Sequence, residues 1–116
     1  MLKSLVGQAA ESRAEAFLKT QGLKSVARNW RCRFGEIDLV MQDGATLVFV
    51  EVRLRSRSDF GDAVASVTPA KQKKLRTAAH QYLAALKTQP PCRFDVVALD
   101  SSAAPRWIRN AFDDVG

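Results

Sequence analysis

A chain of 116 residues, 47% hydrophobic and 26% charged, has the length and balance of one folded domain with one core, so residues 1–116 are read as a single domain. Eighteen basic against twelve acidic side chains leave a net charge of +6, which favours an anionic partner without separating nucleic acid, membrane surface and acidic protein. Cys32 and Cys92 lie too far apart for a closely spaced zinc motif and are expected as buried thiols, and the single histidine, His80, leaves neither a triad nor a His-rich metal site. The N-terminus lacks an apolar signal-peptide core and no apolar run is long enough to span a bilayer, so the expectation is a cytoplasmic protein.

Residues Lys3 to Gln21 read as a helix. Leu5 or Val6, Ala10, Ala14, Phe17 and Leu18 approximate an apolar stripe, and Gly22 is placed to stop it. Glu11 lies at the edge of that stripe. Periodicity favours a surface acid near Arg13 and Lys19, although its carboxylate is also within reach of the sheet. Leu23 to Phe34 reads as a first strand, with Arg28, Arg31 and Arg33 set among Val26, Trp30 and Cys32. Arginines interleaved with an aromatic suit contacts to phosphate.

Strand patterning and ionisable groups coincide in Gly35 to Arg57. Two runs rich in Val, Ile, Leu and Phe flank Asp43-Gly44, a strong signal for a tight hairpin. With Asp43 and Gly44 as the turn residues, Val40 pairs with Leu47, Asp38 with Phe49 and Glu36 with Glu51. Glu36, Asp38, Glu51 and Arg53 then share one face, and Ile37, Leu39, Met41, Val48, Val50 and Val52 form the core face. Like charges opposed across a ladder destabilise it by ~0.2–1 kcal/mol per contact. A divalent cation held by Asp38 and Glu51 reverses that sign, whereas a solvated face with Arg53 and Arg55 pairing the acids is the alternative. Spacing alone leaves the two level.

Ser56 to Val67 lacks periodicity and reads as a loop beside the strand that bears Glu51, a candidate lid. Thr68-Pro69 supplies an N-cap and a first-turn proline for a helix whose Leu75, Ala78, Ala79, Tyr82, Leu83 and Leu86 form one face. Lys71, Lys73, Lys74 and Arg76 crowd its first two turns, against the preference of the helix dipole, and phosphate binding accounts for them better. Gln72 faces inward and needs a hydrogen-bond partner. Strands Arg93–Asp100 and Arg106–Phe112 follow, the second a weaker candidate for an edge.

Gly7 with Glu11, then GEIDLV, VFVEVR, TPAKQKKL, CRFDVV and WIRNAF, resemble in order and spacing the bacterial YraN-like family of restriction-endonuclease-like proteins, over nearly the whole chain. The resemblance implies an α/β, restriction-endonuclease-like fold, with a mixed central β-sheet of four or five strands flanked by helices, in the order α-β-β-β-α-β(-β). It implies Asp38 and Glu51 as ligands of Mg²⁺ or Mn²⁺, and Glu11 as the helix acid of the resolvase-like branch. Arg53 stands in the place of the nuclease motif's lysine, Gln72 is an inward polar group on the following helix, and Glu36 is a neighbour of the site. The implied chemistry is phosphodiester hydrolysis in DNA, including branched or structured DNA; the placement of the basic residues separately marks Arg28, Arg31, Arg33, Arg55, Arg57, Lys71 and Lys74 as nucleic-acid contacts. Resolvase-like relatives imply a homodimer, since a junction presents two symmetric cleavage points. Arg53 cannot release its proton to act as a base, so it can only orient and stabilise. A non-catalytic nucleic-acid-binding module and a protein-interaction domain stand as the other function classes on this scaffold.

Overall fold

The structure, a computed structural model, describes residues 5–54, 65–100 and 104–113. Arg55, Arg57 and residues 56–64 of the expected lid lie outside the described residues. The elements are α1 (Leu5–Thr20), β1 (Lys24–Cys32), β2 (Gly35–Asp43), β3 (Thr46–Leu54), α2 (Pro69–Ala84), β4 (Cys92–Leu99) and β5 (Arg106–Phe112). They occur in the expected order. The five strands form one sheet in sequence order, antiparallel at every pairing except β3 with β4. That parallel pair requires a crossover, and α2 is its helix.

The sheet is covered on both sides, as expected of a sheet flanked by helices, and this removes the alternative of a solvated acid face. Val40, Leu47, Phe49, Phe94, Val96 and Ala98 pack with Leu75, Ala78 and Ala79 of α2. Leu39, Met41, Val48, Val50, Val97 and Leu99 pack with Ala10, Ala14 and Leu18 of α1. Residues on either side of a strand alternate, so the apolar residues in both parity sets of β3 bury it twice. Burial of α1 begins at Ala10. Leu5 and Val6 are 83% and 62% exposed, leaving the first turn of the helix in solvent. Cys32 and Cys92 are free and half-buried against the α2-side core, less enclosed than expected.

The β2–β3 hairpin turns one residue later than the Asp-Gly signal suggests. Asp43 pairs with Thr46, and Gly44 and Ala45 make the turn. Gly44 has a φ of +60° and Ala45 has no positive φ, the pattern of a turn that takes glycine at its first central position. The register therefore moves by two residues, with Val40 opposite Phe49 rather than Leu47. A shift of two keeps each side chain on its own face, whereas a shift of one would have exchanged them.

Candidate functional site at the β2–β3 divergence

Regular pairing of β2 with β3 runs from Asp43–Thr46 to Leu39–Val50, while β3 stays paired with β4 as far as Leu54. Beyond Leu39 the backbone of β3 is bonded from the β2 side by a side chain: the Val52 N–H donates to Asp38 Oδ2 at 2.9 Å. This substitution fixes the Asp38 carboxylate beside the end of the ladder. Continuing the register by one step sets Asp38 opposite Glu51, not opposite Phe49 as expected. Asp38 and Glu51 are each 5% exposed, and their side chains share a hydrogen bond.

Strand alternation breaks at the same place. Ile37 belongs to the α2-side core and Leu39 to the α1-side core, although a regular strand would send both the same way. This corrects the assignment of Ile37 to the face of Leu39. The neighbouring strand turns with it. Arg28 pairs with Leu39 in the ladder and reaches α1, whereas Trp30 pairs with Ile37 and packs with the α2-side core. Asn29 lies between them with a φ of +54°, a left-handed conformation that asparagine tolerates better than most residues.

Arg53 Nη2 stands 3.3 Å from Glu51 Oε2, and Lys71 Nζ stands 4.0 Å from the same oxygen. These two cations favour an ionised Glu51. Burial and the adjacent Asp38 carboxylate oppose them and prevail, in that order, raising the Glu51 pKa from 4.5 to about 8. The pair thus carries a proton at neutral pH between two groups that would otherwise repel. Two buried carboxylates sharing a proton are hard oxygen donors, a set suited to Mg²⁺ or Mn²⁺ in the proton's place. Among the described residues no three His, Cys, Asp or Glu side chains gather around one point, so the acids contribute a pair and not a full shell.

The other site residues divide between the pair and its surroundings. Glu11 is 2% exposed on the inner side of α1, with Arg28 Nε 3.8 Å away, so it is not the surface acid that periodicity favoured. Arg28 also donates to the Gln8 carbonyl at 2.8 Å and the Ser12 hydroxyl at 2.9 Å, and pairs with Glu15 at 3.5 Å. It is thereby committed to α1. Arg31 pairs with Glu36 across the β1–β2 ladder at 2.9 Å, which turns Glu36 toward β1. Arg33 lies over the Phe34 ring at the exposed β1–β2 turn, 5.4 Å from its centroid. Gln72 finds the partner its inward position requires in the Val67 carbonyl, at 2.9 Å, and so braces the start of α2.

The N-cap of α2 explains why Lys71 is available. Thr68 accepts from the Lys71 N–H at 3.2 Å, which sets the first turn and delivers the lysine side chain to Glu51. The sequence marked Lys71 only as a phosphate contact. The surplus of cations at a helix N-terminus was the signal, but which of them meets Glu51 depends on how α2 crosses the sheet. A second polar centre, without a signal in the sequence pattern, lies between β4 and β5. Asp95, fully buried, accepts from Arg93 Nε at 3.0 Å, Trp107 Nε1 at 2.9 Å and the Asn110 N–H at 2.9 Å, and Arg93 also pairs with Asp43 at 3.0 Å. These partners tie β2, β4 and β5 together, with every donor supplied by the sheet itself.

The sequence profile of the family described as "Uncharacterised protein family UPF0102" matches residues 10–99. A UPF0102 protein of Nitrosospira multiformis is 56% identical over 115 residues, covering 97% of each chain. One from Cupriavidus necator is 60% identical over 111 residues, covering 94% of this chain and 83% of its own. Among solved structures, the crystal structure of a repair endonuclease from Pyrococcus abyssi is similar with a TM-score of 0.45 and 18% identity, covering 90% of this chain and 42% of that one. No membrane-crossing helix is found among the described residues, none being long and apolar enough.

Proposed function

We propose that this chain, which belongs to the uncharacterised protein family UPF0102, is a divalent-cation-dependent endonuclease that hydrolyses phosphodiester bonds in branched or otherwise structured DNA in the cytoplasm. The observation that carries the reading is the buried Asp38–Glu51 pair at the divergence of β2 and β3, with two cations at its rim. Asp38 and Glu51 would hold Mg²⁺ or Mn²⁺; when bound, such an ion supplies Lewis acidity toward water and the scissile phosphate. The protein's own groups do the rest. Asp38 is oriented by the Val52 N–H, and Glu51 is flanked by Arg53 and Lys71, whose charges suit a phosphate oxygen. Arg53 Nε is buried and has no hydrogen-bond partner among the described residues, a donor left over for an anion. Glu11 of α1 and Arg28 of β1 form a separate ion pair, and a two-fold symmetric junction would engage two copies of the chain.

One observation favours a non-catalytic nucleic-acid-binding module instead: an arginine occupies the position of the motif's lysine, and it cannot give up its proton at neutral pH. The two readings part on one experiment. Labelled junction, flap, duplex and single-stranded DNA are incubated with the full chain in Mg²⁺, Mn²⁺ or EDTA. Cation-dependent cleavage of any substrate that Asp38→Asn abolishes supports the nuclease. DNA binding without cleavage, together with calorimetry showing no Mg²⁺ or Mn²⁺ uptake, assigns the scaffold to binding.

A further inference from the structure

Hard divalent cations take six or more oxygen ligands, and a site supplying only two carboxylates must find the others in water, substrate or neutral protein oxygens. The β1–β2 register brings one such side chain, that of Asn29, opposite the site. In the β1–β2 ladder Arg28 stands opposite Leu39 and Trp30 opposite Ile37, which sets Asn29 opposite Asp38. Directly opposed residues of an antiparallel pair send their side chains to the same side, with Cβ atoms ~4.5–5.5 Å apart. Both strands change face at this step, so the correspondence survives the irregularity. Asn29 Oδ1 is buried and has no hydrogen-bond partner among the described residues. A buried carbonyl oxygen without a donor costs free energy, and so does a side chain held at a φ of +54°. The face change between Arg28 and Trp30 accompanies the second cost, but the unpartnered oxygen is not explained by the packing of β1.

We propose that Asn29 Oδ1 is a third protein oxygen for the divalent cation held by Asp38 and Glu51, and that the left-handed turn of β1 at Asn29 exists to aim it. The inference rests on the metal-site reading above. A neutral third ligand completes a half-shell without adding a third negative charge to a buried pair. Substrate phosphate and water fill the remaining positions.

Mn²⁺ binding by the full chain, followed by calorimetry and by the loss of the free-ion paramagnetic resonance signal, tests this without reference to cleavage. Asn29→Gly keeps the positive φ at no steric cost while deleting the oxygen, and Asn29→Asp keeps an oxygen and tolerates the conformation. Even groups that only support a metal ligand change affinity by ~10–100-fold when removed, so Asn29→Gly should weaken Mn²⁺ binding at least about tenfold. Asn29→Asp should bind at least as tightly as wild type. Thermal melting without metal should show Asn29→Gly folded, since the deleted oxygen has no hydrogen-bond partner among the described residues. If Asn29→Gly binds Mn²⁺ like wild type while Asp38→Asn does not, Asn29 is no ligand and the carboxylate site stands. If wild type takes up neither Mn²⁺ nor Mg²⁺, the metal-site reading falls and this inference with it. A stability loss in Asn29→Gly with unchanged affinity assigns the residue to the β1 turn alone and overturns the proposal.

Discussion

Replacing Glu51 by glutamine should make the protein more stable at neutral and alkaline pH. Glu51 titrates from its ordinary 4.5 when unfolded to about 8 when folded, because burial and Asp38 oppose its ionisation. A raised folded pKa means that the native state binds the extra proton. The stability linked to that proton is fully present below about pH 4.5 and is lost as pH rises toward 8. At ~1.4 kcal/mol per pH unit, the ionised form costs the fold at most about 5 kcal/mol. Relaxation around the pair, and the attraction of Arg53 and Lys71, make roughly 2–3 kcal/mol the expected size. Glutamine resembles the protonated acid and can still donate to Asp38, so the variant escapes the loss. Urea unfolding in EDTA, read from Trp30 and Trp107 fluorescence at intervals from pH 4.5 to 8.5, should show the two proteins close at the acid end. The variant should gain steadily above it. Adding Mn²⁺ at pH 8 should then stabilise wild type and leave the variant unmoved, since a ligand specific to the native state adds its binding free energy to stability. A difference between the two proteins that stays flat across this pH range would refute the shared-proton account of the site.

Asp38→Asn keeps an oxygen for the Val52 N–H while removing the charge a cation needs; without Mg²⁺, DNA affinity should be equal or higher, and metal-dependent cleavage should fall by orders of magnitude. Lys71→Ala with Lys74→Ala should lower the log–log salt slope of duplex binding by up to ~1.8, at ~0.9 per phosphate contact; fluorescence anisotropy across a salt series measures it, and an unchanged slope would place the DNA elsewhere. Asp95→Leu strands Arg93 beside an apolar group and removes the acceptor of Trp107 and Asn110, so urea unfolding should report a loss of about 3 kcal/mol, toward the low end for a broken buried pair because Asp43 still meets Arg93. A loss under ~1 kcal/mol would mean that water replaces the carboxylate freely.

Element order was legible because each segment carried its own local signal: the Thr68-Pro69 start of α2, the glycine after α1, the paired apolar runs around Asp43-Gly44. The meeting of Asp38 with Glu51 followed from strand parity and survived a register displaced by two. Three features depended on more than one element. The burial of Glu11 requires Arg28, which arrives from β1. The proximity of Lys71 to Glu51 requires the crossing of α2 over β3. The face change at Asp38 coincides with the left-handed Asn29 of the neighbouring strand, and asparagine within a strand-like run does not announce that conformation. The cover on the acid side of the sheet has its own signal in the sequence: Val40, Leu47 and Phe49 share parity with the acids, and their size requires a cover there.

The buried Asp95 has a consequence for how molecules of this protein behave toward one another. Where β4 advances two residues, from Phe94 to Val96, β5 advances four, from Phe112 to Ile108, and the surplus chain is gathered onto the Asp95 carboxylate through Asn110. The outer edge of β5 is therefore bent out of the straight line that another strand would need for docking, and Arg109 lies across Trp107 beside it. At the opposite edge, β1 carries a one-residue bulge at Val26 and a row of arginines. Irregular, charged borders of this kind resist the end-to-end growth of sheets into fibrils. A protein that buries the centres of its three inner strands thus guards both rims, and the acid that closes one of them also serves as insurance against aggregation at high concentration.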